Sequence, residues 1–260
     1  MSNYNYKEKR MEAGYRIEPK EFIQGDCVEV LKSKQINPDL IVTDPPYNIN
    51  WKYSNKVNDN KKDYHNWCLE WVELCIKQLT EKGVICIINY AENNNILYTK
   101  LIEKGYNFIQ QLIWNYPTNI GQSKNKYTRS YRTILIFSKS KEYTFNPVKG
   151  KYKNPTDKRI KERIAQGHTP THYDIFEYNL CKNVSKSKVR NGINQLPDEL
   201  VKMLISTYSE VHDTVLDPFV GNGTVTRVAW DMCRGGIGID INDYNTQIPT
   251  KQNGDINGND

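Results

Sequence analysis

Two apolar runs in this chain are continuous rather than alternating, and each ends in an aspartate-proline turn. Asp39-Leu40-Ile41-Val42-Thr43 runs into Asp44-Pro45-Pro46-Tyr47. Far downstream, Thr214-Val215-Leu216 runs into Asp217-Pro218-Phe219-Val220-Gly221-Asn222-Gly223-Thr224. A strand with no polar face is buried on both sides, the habit of a parallel sheet sandwiched between helices. The remaining pattern agrees. A short strand from Glu21 breaks at Gly25-Asp26 and leads into a short helix through Val28 to Leu31. Trp67, Trp71, Leu74, Cys75 and Leu79 recur at helical spacing before a Lys82-Gly83 stop. A buried strand Val84 to Asn89, a helix through Leu97 and Ile102 to Gly105, and strands Phe108 to Trp114 and Thr133 to Ser138 follow. A helix over Leu196 to Tyr208, the strand before the glycine turn, a helix through Val225 to Trp230 and a strand Gly236 to Ile239 complete the series. Strands alternating with helices predict an α/β fold, a doubly wound and mostly parallel sheet.

The alternation breaks in the middle, where Pro147, Pro155, Gly167 and Pro170 cut the chain after Phe145 into short pieces. Residues 121–190 hold 17 Lys/Arg and 5 Asp/Glu, a net +12; the whole chain carries +6, so the rest carries −6. Tyr127, Tyr131, Tyr143, Tyr152, Tyr173 and Tyr178 are interleaved with this charge. Cations mixed with aromatics suit a phosphate backbone and base edges; a solvated lysine-rich surface is the plainer alternative. The pattern predicts a separate recognition subdomain. The polar stretch Asn48 to Asp63, beside the first motif, reads as a lid.

With 38% hydrophobic residues and no apolar run long enough to cross a bilayer, the chain reads as a cytoplasmic protein; its N-terminus lacks an apolar signal region. Six cysteines without a C-x-x-C pair read as reduced, buried thiols. His168 and His172 with Cys181 offer an alternative set of zinc ligands, but no metal site is expected.

A strand entering a Gly-x-Gly turn and then a helix presents backbone N–H groups to a ligand. Gly221 and Gly223 allow close approach, and the absence of Lys-Ser or Lys-Thr after them excludes a Walker-type phosphate loop. Asp240 ends the next strand, where such folds hold ribose hydroxyls. A lone Gly-x-Gly can equally be an ordinary turn, and Asp240 tips the reading toward a nucleoside ligand.

Asp217-Pro218-Phe219-Val220-Gly221-Asn222-Gly223 resembles the S-adenosylmethionine motif of the DNA amino-methyltransferases, and Asp44-Pro45-Pro46-Tyr47 resembles their catalytic motif. The order found here, catalytic motif first, recognition region in the middle, cofactor motif last, resembles the β class of that family over roughly residues 20 to 242. The resemblance implies a circularly permuted, Rossmann-like methyltransferase fold with an inserted target-recognition subdomain. Its expected divisions are an N-terminal arm (1–17), a catalytic half (18–115), a recognition region (116–190), a cofactor half (191–242) and a polar tail (243–260). It implies that Asp26 and Cys27 contact the cofactor adenine, that Gln195 lines the methionine moiety, and that Asp217 lies near its amino group. Asp44, Phe219, Gly221, Gly223, Thr224 and Asp240 complete the expected cofactor set. Two departures stand out. Gly192-Ile193 replaces the His-Pro common in the family, and the chain after Asp240 lacks the amphipathic helix found there, so the N-terminal arm or a second subunit is expected over that sheet face.

The chemistry follows from the target. An exocyclic amine on adenine or cytosine is a poor nucleophile, because its lone pair is delocalised into the ring. The Asp44 carboxylate and a carbonyl aimed by Pro45 and Pro46 can hold both N–H groups and push the nitrogen toward tetrahedral geometry, with no covalent enzyme intermediate. The base must leave the duplex stack, and Tyr47 is expected to stack on it. By resemblance to the adenine-N6 enzymes of the family, Asp in the first position implies adenine N6; both amines need the same two acceptors, so cytosine N4 is the alternative. Lys124, Lys126, Arg129, Lys151 and Lys153 are the expected contacts to double-stranded DNA. The function expected is site-specific DNA methylation in a restriction-modification system, with a cognate endonuclease and a homodimer as candidate partners. An RNA or protein amino-methyltransferase and an inactive DNA-binding protein are the competing readings.

Overall fold

The computed structural model describes residues 21–50, 59–117, 124–181 and 195–242. The expected arm and tail, the centre of the lid stretch, and Gly192-Ile193 lie outside the described residues.

Eight strands, β1 (Glu21–Gln24), β2 (Leu40–Thr43), β3 (Val84–Asn89), β4 (Asn107–Asn115), β5 (Tyr131–Ser138), β6 (Ile175–Glu177), β7 (Thr214–Asp217) and β8 (Gly235–Asp240), form one sheet. Their order is β1-β8-β7-β2-β3-β5-β4-β6. Only β5 runs against its neighbours β3 and β4. The described helices are α1 (Cys27–Ser33), α2 (Tyr64–Gln78), α3 (Ala91–Glu103), α4 (Lys158–Ala165), α5 (Asp198–Tyr208) and α6 (Thr224–Asp231).

Strand side chains alternate between two cores. Leu40, Val42, Val84, Cys86, Ile88 and Val215 pack with α5 and α6, while Ile41, Ile85, Ile87 and Leu216 pack with α1 and α2. Both faces are apolar and both are covered, which is why the central strands read as unbroken apolar runs.

From β2 the chain steps to β3 on one side, and from β7 to β8 on the other. The crossovers therefore diverge between β2 and β7, which pair directly with Ile41 opposite Leu216. Ligands of open α/β sheets bind outside the strand ends at such a divergence. Here it sets the loop after Thr43 beside the loop after Leu216.

The basic middle segment departs from the expected separate subdomain. Its β6 joins the sheet edge, Ile113 opposite Ile175, and buries Phe176 against the core with Val148, Tyr178 and Leu180 beside it. The segment has too few apolar residues for a core of its own, so it borrows the sheet. Its α4 was not expected either: Asp157 caps it by accepting from Arg159 and Ile160 N–H, and no residue of the helix is buried. One boundary also matters. Apolar patterning starts the fifth strand at Thr133, but β5 begins at Tyr131 and so takes Arg132 into the sheet.

Candidate active site

Pro45 and Pro46, each with a ring-fixed backbone angle, carry the chain off β2 in a turn that three polar side chains fasten. Tyr64, from the first turn of α2, donates to the Pro46 carbonyl at 2.6 Å and accepts from Asn89 Nδ2 at 2.9 Å. Asn93 Nδ2 donates to the Tyr47 carbonyl and to Asn89 Oδ1, both at 3.0 Å. With Pro46 engaged by Tyr64 and Tyr47 by Asn93, the Pro45 carbonyl accepts no hydrogen bond among the described residues, the state a second amine acceptor needs. Tyr64, Asn89 and Asn93 lie outside any motif the sequence displays. Tyr64→Phe removes the hydroxyl that links Asn89 to Pro46, and is expected to lower the methylation rate about 3–10-fold, about one hydrogen bond. Single-turnover methylation at unchanged melting temperature checks it; an unchanged rate would show that the prolines alone hold the turn.

Asp44 is only partly open to solvent. The Tyr47 hydroxyl donates to its carboxylate, and Arg132 Nη1 lies 3.7 Å from Oδ2. Burial pushes its carboxyl pKa up, and the Arg132 charge and the Tyr47 hydroxyl pull it back down. Tyr47, expected to stack on a flipped base, is itself buried: its ring sits 4.8 Å from that of Tyr90 and 4.7 Å from the Arg132 guanidinium. The stacking role therefore requires Tyr90 or Arg132 to give way, because aromatic faces left to themselves cover one another.

The second motif forms the neighbouring wall. Gly221 (φ 46°) and Gly223 (φ 71°) take left-handed backbone angles, and Gly223 caps α6, so that Thr224 opens that helix. Gly221 N–H donates to Asp240 Oδ2 at 3.0 Å, and Asn242 holds the other oxygen through its N–H and Nδ2. The turn presses on β8 so closely that a Cβ on Gly238 would meet Val220 Cγ2 at 2.6 Å. Gly238→Ala is expected to push the turn away, costing about 1–3 kcal/mol and weakening cofactor affinity. Thermal melting and cofactor titration check it, and unchanged affinity would show that the turn is not part of the binding wall.

Asp217 is buried at the end of β7 and accepts from Phe219 N–H at 3.1 Å. Burial foremost, with the Asp44 and Asp240 charges adding, raises its carboxyl to about 7 against the Phe219 N–H and the Thr43 hydroxyl, which lower it. Phe219 packs edge-on against Trp67 and Trp71. Asp26 stands beside Asp240, since Gly25 N–H donates to the Asp240 carbonyl at 2.8 Å, and its side chain already caps α1 through Val28 N–H. The Cys27 thiol is buried in the core with its pKa pushed up by burial. Gln195 is buried just ahead of α5.

S-adenosylmethionine brings a sulfonium, an ammonium and many hydrogen-bonding groups, and these residues fit it. Asp44 and Asp217 gather negative charge for the two cationic centres, and Asp240 stands at the strand end where the ribose hydroxyls are expected. In the glycine turn, Asn222 Oδ1 and Nδ2 are buried without a hydrogen-bond partner among the described residues, and such groups call for one. Asn222 lies between the two glycines of the turn, and its residue type alone assigns it no role.

The expected DNA contacts divide. Lys124, Lys126 and Arg129 lie between β4 and β5, a connection at the same end of the sheet as Asp44, since β5 runs antiparallel. Arg129 stacks on Tyr90 at 4.1 Å and pairs with Glu92 at 2.5 Å, so it belongs to the rim of the catalytic pocket. Lys151 and Lys153 lie in the connection that leaves β5 from the far end of the sheet, with Lys153 over the Tyr173 ring at 5.0 Å. His172, considered as a metal ligand, stacks its ring on Phe176 at 4.4 Å.

The family model described as DNA methylase, of the N6/N4 methyltransferases, matches residues 38–250. The chain belongs to that family. It is 31% identical over 244 residues to the Type II methyltransferase M.HpaI of Haemophilus parainfluenzae, covering 91% of this chain and 75% of that protein. It is 29% identical over 235 residues to the DNA adenine methyltransferase YhdJ of Escherichia coli strain K12, covering 86% and 79%. Among solved structures, M1.HpyAVI in complex with SAM superposes with a TM-score of 0.65 at 20% identity over 86% of this chain and 94% of that one. The cytosine-N4-specific PvuII DNA methyltransferase does so with 0.65 at 17% over 88% and 84%. At those identities the superpositions establish the fold. As a family member the chain is an S-adenosylmethionine-dependent DNA amino-methyltransferase.

Proposed function

We propose that this enzyme methylates adenine N6 within a specific duplex sequence, as the modification half of a restriction-modification pair. The observation that carries this is the pairing of β2 with β7, which sets Asp44-Pro45-Pro46-Tyr47 beside the glycine turn although they lie at opposite ends of the chain. Asp44 and the Pro45 carbonyl hold the two amine N–H groups. Asp217, Asn222, the Gly221–Thr224 turn and Asp240 hold the cofactor, with Asp26, Gln195 and Phe219 around it. Bound there, S-adenosylmethionine supplies a methyl group on a sulfonium, open to direct displacement. The work left to the protein is alignment and charge stabilisation. Lys124 and Lys126 place a phosphate backbone across the catalytic end of the sheet, with Lys151 and Lys153 further out. Adenine is favoured over cytosine because the motif, opened by an aspartate, resembles that of the adenine-N6 enzymes.

Cytosine N4 is the second reading, since its amine asks for the same two acceptors. Genomic DNA from a host expressing this chain, digested to nucleosides and mapped for modified bases, decides. N6-methyladenine at one recurrent sequence is expected, N4-methylcytosine alone would move the assignment to the second reading, and neither base would overturn both. A cognate endonuclease encoded nearby and a homodimer covering the sheet face beyond Asp240 extend the proposal. Sedimentation of a monomer would remove the dimer.

A further inference from the structure

Arg132 carries no motif, yet it is the most constrained charge in the pocket. Pairing of Thr133 with Asn89 brings it level with the loop that leaves β2, and it is 5% exposed. Its guanidinium lies 4.7 Å from the Tyr47 ring, 5.1 Å from Trp114, and 5.8 Å from both Tyr90 and Tyr116. Aromatic faces stabilise a guanidinium, but they do not accept its in-plane N–H groups as a carboxylate does. Apart from the Tyr116 hydroxyl beside the guanidinium, those N–H groups are underused. Nη1 is 3.7 Å from Asp44 Oδ2, beyond hydrogen-bond length, and Nε is buried with no partner among the described residues. A buried charged donor without an acceptor is costly, and a pocket that keeps one is shaped for an acceptor that arrives with the substrate.

The substrate has such an atom. In adenine and in cytosine the carbon bearing the amine is bonded to a ring nitrogen with an in-plane lone pair, N1 and N3 respectively. An amine held by Asp44 brings that nitrogen to the side of the carboxylate where Arg132 waits. Guanine and thymine present a ring N–H at the equivalent place, which a cationic donor repels. We propose that Arg132 reads the flipped base, donating from its guanidinium edge to the ring nitrogen beside the target amine while remaining paired with Asp44. This rests on the amino-methyltransferase reading above and adds to it the residue that tells adenine and cytosine apart from guanine and thymine.

The test replaces the acceptor and the donor in turn. Duplexes carrying the mapped site are made with adenine or 1-deazaadenine at the target, or with cytosine and 3-deazacytosine if cytosine proves to be the base. Single-turnover methylation is measured for the wild type, Arg132→Lys and Arg132→Met. The wild type should lose about 10–100-fold on the deaza base, the range of a hydrogen bond to a charged group. Arg132→Met should lose less than about 3-fold, with Arg132→Lys between them. The weakened pairing of the modified base speeds flipping for every variant and cancels in the ratio. Equal penalties in the wild type and Arg132→Met would overturn the proposal and leave Arg132 a counterion of Asp44. Should Arg132→Met fail to fold, as judged by melting and cofactor titration, the wild type is compared on 1-deazaadenine and 7-deazaadenine (for cytosine, 3-deazacytosine and 5-fluorocytosine). A penalty confined to the base lacking the adjacent nitrogen supports the assignment, and equal penalties overturn it. Failure of the wild type to methylate the unmodified duplex would instead sink the functional reading itself.

Discussion

Asp44→Ala is expected to lower the single-turnover methylation rate about 10²–10³-fold, the range found when one preorganised charge-stabilising group is removed from an active site, while cofactor affinity changes only a few-fold. The amine must lose conjugation with its ring to become a nucleophile, and Asp44 is one of two acceptors that draw it out of plane. The same substitution strands a buried cation. Arg132 would keep its aromatic surroundings but lose the carboxylate 3.7 Å away, and leaving one partner of a buried pair alone costs up to about 3–5 kcal/mol. Because this pair is not hydrogen-bonded, the lower end is expected, seen as a drop in melting temperature. Asp44→Asn keeps the shape and one acceptor, so its rate should fall between wild type and alanine. A rate for Asp44→Ala within about 3-fold of wild type would remove Asp44 from the chemistry.

Asp217→Asn should move stability and binding in opposite directions. The Asp217 carboxyl is raised by burial to about 7, above its ordinary value in an unfolded chain. The folded state therefore holds a proton that the unfolded state releases, and stability falls as pH rises from about 4 to about 7. The full penalty is present above pH 7 and absent below about pH 4. A tenfold change in proton affinity is worth about 1.4 kcal/mol, so the penalty is on the order of 2–4 kcal/mol. The asparagine side chain keeps the acceptor for Phe219 N–H and brings an amide to the neighbouring Thr43 hydroxyl. The variant's melting temperature should exceed that of wild type by about 5 °C or more at pH 8, with the gain shrinking as pH falls. Cofactor affinity should drop at least tenfold, because the charge opposite the ammonium is gone. In the wild type, affinity should weaken by up to tenfold per pH unit below about 7, as the unliganded carboxyl takes up its proton; in Asp217→Asn that dependence should flatten. Calorimetric titration and melting across pH 5–8 test both arms. A variant that is less stable at pH 8 and binds normally would show that the buried carboxylate serves the fold rather than the ligand.

Much of this molecule is readable in one dimension. Continuous apolar runs announce β2, β3 and β7, because a strand covered on both faces has no polar side to show. The two aspartate-proline turns and the glycines declare their chemistry through residue types that serve few other purposes. Periodicity also places α2, α3, α5 and α6, since each buries a stripe against the sheet. Where patterning fails, a reason is visible. The segment holding α4 and β6 is too polar to signal order by itself and takes its shape from the edge of β4. Arg132 breaks the apolar signal of its own strand, so the charge that dominates the pocket looks like a strand boundary.

The residues that brace the site are a different matter. Tyr64, Asn89 and Asn93 are an ordinary tyrosine and two asparagines until the fold places them around Pro46 and Tyr47. Gly238 is one glycine among many until Val220 lies against it. Local sequence carries local physics: strand and helix patterning, backbone freedom and the residue types available to each turn were settled by the order of residues. Neighbourhood is long-range physics. That β2 lies against β7, that Arg132 faces Asp44, and that Asp217 is buried deeply enough to hold its proton near neutrality depend on strand order and closure of the sheet, which no short stretch of chain encodes.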